Sequence, residues 1–186
     1  MTTTLRKYAF DIDDTLCHFA QAAVDAMNKV YGKNFQAPAN YQIHTLYGVS
    51  LQDFFLVLLK EHVYETLEPF DDSVTLLNNL LNANISLVFV TARSGMGPYA
   101  YSITKNWIKD KLKIHDFELF IQHPKIPKVN YLDNSVEVFV EDNFDHLKHF
   151  TGKKFLVNQP WNAKDQGLIK PMSVIETHSL NLIYEN

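Results

Sequence analysis

The chain has 186 residues, 46% of them apolar and 20% charged, and a net charge of −4. That is enough apolar material for one packed domain and too much for a disordered chain, and the acidic balance argues against a non-specific nucleic-acid binder. One cysteine, Cys17, excludes an intrachain disulfide and a multi-cysteine metal site, and no apolar run approaches the ~20 residues of a membrane helix.

Residues 1–7 lead straight into the first predicted strand without a signal-peptide pattern, so a cytoplasmic location is expected. The strand, residues 7–10, stops at three carboxylates, Asp11, Asp13 and Asp14. Residues 20–31 carry apolar side chains near helical spacing, with Gly32 as a stop. Residues 34–47 are irregular, punctuated by Pro38 and Asn40. Ser50 is a capping residue ahead of a helix over 51–62. Nothing between 18 and 70 has strand character. That segment is therefore predicted to be a small helical cap inserted after the first strand, with 1–17 and 71–186 forming the core. Beyond it, strand and helix alternate: helix 74–82, strand 85–90, helix 99–111, strand 117–121, a short helix 126–133, strand 136–140, helix 143–150 and strand 154–157. The tail from Ser173 reads as a helix packed on the sheet. Such alternation predicts an α/β fold, a Rossmann-like parallel sheet covered on both faces.

Each polar cluster of interest follows a predicted strand, where an open α/β sheet places its site. Asp11 and Asp13, two apart in extended chain, point the same way. Close carboxylates repel unless a cation or a shared proton relieves them, and hard oxygen ligands suit Mg²⁺. The plainer alternative is a polar turn in which Asp14 or Thr15 caps the next helix. Thr91, followed by Ala92, offers a hydroxyl and backbone N–H groups to an anion; alternatively it is a helix cap. Arg93 is either a bidentate phosphate partner or a surface residue. Glu141 and Asp142 end the strand 136–140. Asp142, Asp145, His146 and His149 have the spacing of a zinc set, but on a solvated face they read more simply as surface residues. Phe19, Tyr41, Tyr47, Phe54, Phe55 and Tyr64 in the cap are candidates to stack on a nucleobase or to pack as core. Cys17 reads as a small packed hydrophobe.

Asp11-Ile12-Asp13-Asp14-Thr15-Leu16 resembles the first motif of the haloacid dehalogenase-like (HAD) phosphohydrolases. Val90-Thr91-Ala92-Arg93 is similar to the second, and Val138-Phe139-Val140-Glu141-Asp142-Asn143 to the fourth. The third is a single lysine; Lys128, 14 residues before Asp142, has a spacing like the family's, with Lys125 and Lys105 as alternatives. Val157-Asn158-Gln159-Pro160-Trp161-Asn162 narrows the resemblance to the 5'(3')-deoxyribonucleotidase branch, although Ala163 stands where that branch would carry a basic residue.

The resemblance implies a Mg²⁺-dependent phosphatase acting on a small phosphomonoester, a (deoxy)nucleoside monophosphate, through an aspartyl phosphate. It implies Asp11 as nucleophile and Asp13 as acid and base, the latter holding its proton more tightly than Asp11. Thr91, Ala92 and Lys128 would hold the phosphoryl group. Asp11, the Asp13 backbone carbonyl and Asp142 would hold the metal, with Glu141 beside them. Arg93, Phe19 and Tyr41 would touch substrate. Neither a nucleic-acid polymer nor a membrane is expected as partner, and a homodimer stays open.

Overall fold

The computed structural model of the protein describes residues 6–36, 42–163, 172–175 and 179–185. Strand β1 (Lys7–Phe10) is buried from Tyr8 onward. After a tight turn, helix α1 (Phe19–Tyr31) buries Ala20, Ala23, Val24 and Met27, one face at helical spacing. It stops at Gly32, whose left-handed backbone (φ 61°) brings its N–H to Asn28 O. Short helix α2 (Ile43–Leu46) follows. Helix α3 (Leu51–Lys60) starts where Ser50 Oγ accepts the Asp53 N–H, as the capping pattern predicts. A further turn, α4 (Val63–Thr66), precedes α5 (Asp71–Asn82). The regular elements of the insert between β1 and α5 are thus all helices in its described part. Tyr41 lies outside the described residues.

Strand β2 (Ser86–Thr91) opens the second half. A 3-10 stretch over Arg93–Tyr99 leads into α6 (Ala100–Trp107), which runs on as a π turn, Ile108–Leu112. Then come β3 (Glu118–Ile121), a 3-10 turn over Lys128–Tyr131, β4 (Val136–Glu141), α7 (Phe144–Leu147), β5 (Lys153–Val157), β6 (Met172–Ile175) and α8 (Leu182–Glu185).

Three predicted elements differ in form. The short helix over 126–133 is a single 3-10 turn, because the backbone is extended at both ends, at Pro127 (ψ 143°) and at Leu132 (ψ 128°). The helix over 143–150 is one turn, since Phe150 folds in against Phe139 (centroids 5.7 Å apart) and the chain must descend into β5. At Gly152 a Cβ would lie 2.5 Å from Glu137 O, so the descent is tight. The tail from Ser173 begins as strand, not helix. Met172–Ile175 pairs in parallel with β5, occupying the ladder groups an edge strand would leave unpaired.

All pairings are parallel, in the order β3-β2-β1-β4-β5-β6. Alternate residues feed two cores. Tyr8, Phe10, Phe89 and Val140 pack with the larger helical layer, and Ala9, Val90, Phe139 and Leu156 with the smaller one. Phe10, Phe89 and Phe139 are wholly buried, each contributing on the order of 1.5–3 kcal/mol. Successive strands step from β1 outward on one side and resume with β4 on the other. The order in which strands are added reverses between β1 and β4, and a crevice opens there at the strand ends. Phe10 is level with both Phe89 and Val140, so Asp11, Thr91 and Glu141 emerge at one edge. Among the described residues no helix is long and apolar enough to cross a membrane.

Candidate active site

The turn after β1 sets the first acidic groups. Asp11 N–H donates to Val140 O (3.0 Å), anchoring the turn to β4, and Ile12 O takes the N–H groups of Thr15 (3.2 Å) and Leu16 (2.8 Å). Asp14 sits in the left-handed region (φ 56°), which a short polar side chain tolerates. Its Oδ1 accepts Ala20 N–H at 2.9 Å, so the capping alternative holds for this residue. Burial, the largest effect, pushes its carboxyl up to about 7.

Asp11, Glu141 and Asp142 are all buried, with a carboxylate oxygen from each inside a 4.8 Å group. One lysine reaches them. Lys128, 1% exposed, puts Nζ 2.8 Å from Asp11 Oδ1 and 2.7 Å from Glu141 Oε2. The other lysine candidates are elsewhere: Lys125 is exposed, and Lys105 lies over the Tyr101 ring. Burial would raise Glu141, but Lys128 and then His146, whose Nδ1 is 3.2 Å away, outweigh it and hold that carboxyl low. Asp11 is pushed up to about 7, by burial first and Glu141 second. Asp142 is also raised, by burial and then by Glu141 and Asp11. Among the described residues, three buried carboxylates face one ammonium, and the donors are hard oxygens close enough to share an ion. This set fits a small divalent cation.

Asp13 is not in that cluster. Its carboxylate accepts from Arg93 Nε (3.0 Å to Oδ2) and Nη2 (2.6 Å to Oδ1). The Arg93 guanidinium, itself buried, lies 5.1 Å from the Tyr64 ring and 5.5 Å from the Trp107 ring, and Nη1 reaches Thr104 Oγ1 at 3.4 Å. Asp11 thus shares its burial with two other carboxylates, while Asp13 faces Arg93. Thr91 is fully buried, and among the described residues its hydroxyl has no hydrogen-bond partner. Ala92 borders the cavity directly.

That cavity, about 200 Å³, has the acidic cluster, Asp13, Lys128 and Arg93 on its core side. Among the described residues the insert supplies Phe19, Ala20, Ile43, Leu51, Phe54, Phe55 and Tyr64 and no charged group. Phe19 stacks on Tyr64 with centroids 5.8 Å apart. Phe54 serves both readings, buried in the core and bordering the cavity. Phe55 lies over Gly95, where a Cβ would stand 2.1 Å from its ring. The zinc alternative does not assemble: Asp145 and His149 are exposed, and Asp145 pairs with Lys148. Cys17 is buried.

The segment after β5 takes part in ways the sequence reading did not assign. Trp161 Nε1 donates to Asp142 Oδ2 at 2.8 Å, and Asn162 Nδ2 donates to Asp142 O at 2.7 Å. Gln159 Nε2 reaches Asp14 O at 2.7 Å. The available signal was the Pro160-Trp161-Asn162 run, which suggested kinship but not these contacts.

The sheet order, the helical insert after β1 and the acidic set at the strand ends define a HAD-type hydrolase. Similarity of fold agrees. Over 97% of each chain the structure matches the L-2-haloacid dehalogenase of Xanthobacter autotrophicus, with 15% identity and a TM-score of 0.60. The same coverage, identity and TM-score hold against the "putative HAD-hydrolase" of Bacillus subtilis bound to magnesium. Within that class the chain belongs to the 5' nucleotidase, deoxy (Pyrimidine), cytosolic type C family, whose model matches residues 7–183. A Bacillus cereus protein described as "Putative nucleotidase" is 26% identical over 176 residues, covering 89% of this chain and 91% of its own. The protein is accordingly an enzyme of the phosphatase and nucleotidase kind.

Proposed function

We propose that the protein hydrolyses a deoxynucleoside 5'-monophosphate to nucleoside and phosphate through an aspartyl phosphate on Asp11. The observation that carries this reading is the meeting of Asp11, Lys128, Glu141 and Asp142 at the floor of a cavity whose opposite walls are aromatic. Asp11, Asp142 and the Asp13 backbone carbonyl would hold Mg²⁺, with Glu141 beside them; the ion supplies neutralisation of the phosphoryl charge that a bare carboxylate cannot approach. Lys128 adds a fixed positive charge next to the nucleophile. The Thr91 hydroxyl and the Ala92 N–H receive phosphoryl oxygens.

An Asp11 oxygen attacks phosphorus as the ester P–O bond breaks, and Asp13 gives its proton to the leaving oxygen. Asp13 then takes a proton from water as that water attacks phosphorus, and the Asp11–phosphorus bond breaks to release phosphate. Arg93 holds the Asp13 carboxylate at the cavity wall; this contact must loosen for Asp13 to carry the proton of the first transfer, and it can re-form once that proton has left. Residues 18–70 act as the cap over the leaving group, excluding water from the reacting centre.

A sugar phosphate is the competing substrate class. The apolar cap wall disfavours it, because a polyol would leave hydroxyls unpaired there, whereas a flat base can stack on Phe19 or Phe55. A phosphate-release panel of deoxy- and ribonucleoside monophosphates and sugar phosphates, with and without Mg²⁺, tests the reading. Nucleotides should be preferred and Mg²⁺ required. Asp11→Asn should abolish release; undiminished turnover in that variant would remove Asp11 as nucleophile.

A further inference from the structure

The segment following β5 sits across the mouths of two loops at once. Gln159 Nε2 holds Asp14 O in the β1 turn, while Trp161 and Asn162 hold Asp142 after β4. Asn162 is braced in turn: its Nδ2 also reaches Val157 O at 2.7 Å, and its Oδ1 accepts Gln159 N–H at 3.2 Å. The bracket therefore ties together the two loops that carry the carboxylate cluster.

Within it Trp161 has a distinctive task. Asp142 is one of three buried carboxylates with oxygens inside 4.8 Å of one another, so holding its carboxylate against that repulsion calls for donors from outside the trio. The Trp161 indole is 9% exposed and borders the cavity, and its only polar atom donates to Asp142 Oδ2 at 2.8 Å. On the other oxygen, Thr15 Oγ1 makes a longer contact of 3.4 Å. An indole N–H is a donor only, carried on a rigid ring, so it can orient a carboxylate without competing as a ligand.

We infer that Trp161 is a positioning residue for a divalent-cation site, acting through Asp142: its indole N–H fixes the carboxylate so that it faces Asp11 and Glu141. This rests on the proposed metal role of the cluster. Groups that orient metal-ligating side chains typically govern affinity by 10–100-fold. A phenyl ring keeps most of the volume of Trp161 and lacks the donor, so Trp161→Phe separates packing from hydrogen bonding.

Calorimetric titration of the metal-free protein with Mg²⁺ should give a dissociation constant about tenfold weaker for Trp161→Phe than for wild type. In turnover, the Mg²⁺ concentration for half-maximal rate should rise by the same factor, with kcat largely recovered at saturating Mg²⁺. Equal Mg²⁺ affinity in wild type and a folded Trp161→Phe would overturn the inference. A variant-free measurement guards against a folding defect. The protein has two tryptophans, and Trp107 donates its indole N–H to Leu67 O at 2.9 Å, not to a carboxylate. In ¹H–¹⁵N spectra of wild type, the Trp161 indole resonance should move on Mg²⁺ addition, with Trp107 as reference. Mg²⁺ binding that leaves the Trp161 resonance in place also overturns the role. Absence of Mg²⁺ binding to wild type would instead sink the metal reading itself, and the two failures are told apart by the wild-type titration.

Discussion

Lys128→Met removes the one ammonium that, among the described residues, reaches the three buried carboxylates, and its effect can be worked from the contacts. At an effective dielectric near 20, a charge pair at 2.8 Å or 2.7 Å attracts by about 6 kcal/mol before desolvation. Much of that gross attraction offsets the cost of burying the ammonium. The measurable loss is the cost of stranding its partners, about 3–5 kcal/mol for breaking a buried pair. Against a typical domain stability of about 5–15 kcal/mol, that is a large fraction. Urea unfolding at pH 8 in EDTA should therefore show Lys128→Met destabilised by about 3–5 kcal/mol. Mg²⁺ should restore more stability to the variant than it adds to wild type, because the ion replaces the missing charge. At 100 times the dissociation constant, binding stabilises the folded state by about 2.7 kcal/mol. A loss below about 1 kcal/mol in EDTA, the range of an exposed pair, would refute the claim that Lys128 neutralises the cluster. So would indifference of the variant to Mg²⁺.

Two further outcomes follow from the geometry. Gly95→Ala places a methyl 2.1 Å from the Phe55 ring, so the cap wall must shift, at a cost of about 1–3 kcal/mol. In a double-mutant cycle with Phe55→Ala the penalty should largely vanish; strictly additive losses would mean the two residues do not meet. The pH dependence of the metal-free protein has a definite sign. Asp11 and Asp14 are each raised to about 7, chiefly by burial, from an unfolded value of about 3.9. The folded chain thus binds protons more tightly, and this stability is fully present below about pH 4 and lost as pH rises through 7. The urea midpoint in EDTA should fall between pH 5 and pH 8, and saturating Mg²⁺ should flatten or reverse the fall. A flat profile in EDTA would contradict the burial of these carboxylates.

Much of the architecture is local, and so was legible in the sequence. Ser50 and Gly32 mark helix ends because capping involves groups within a few residues. The apolar run of β2 announces a strand covered on both faces. The acidic residues at the ends of β1 and β4 could be expected to meet, because a parallel sheet brings its carboxyl ends to one edge. Other features depended on partners far along the chain. The tail could not be read as strand from its own residues, since its pairing is dictated by the free edge of β5. Three lysines were candidates, and only the packed turn over Lys128–Tyr131 drives one of them under the sheet edge to Asp11. The pairing of Arg93 with Asp13, 80 positions apart, and the indole contact of Trp161 with Asp142 are likewise products of the assembled fold. The sequence by itself determined which residue types stand at the strand ends. Only the tertiary structure decided which of them touch, because side-chain contacts across loops depend on strand register and helix placement that no short stretch of chain encodes.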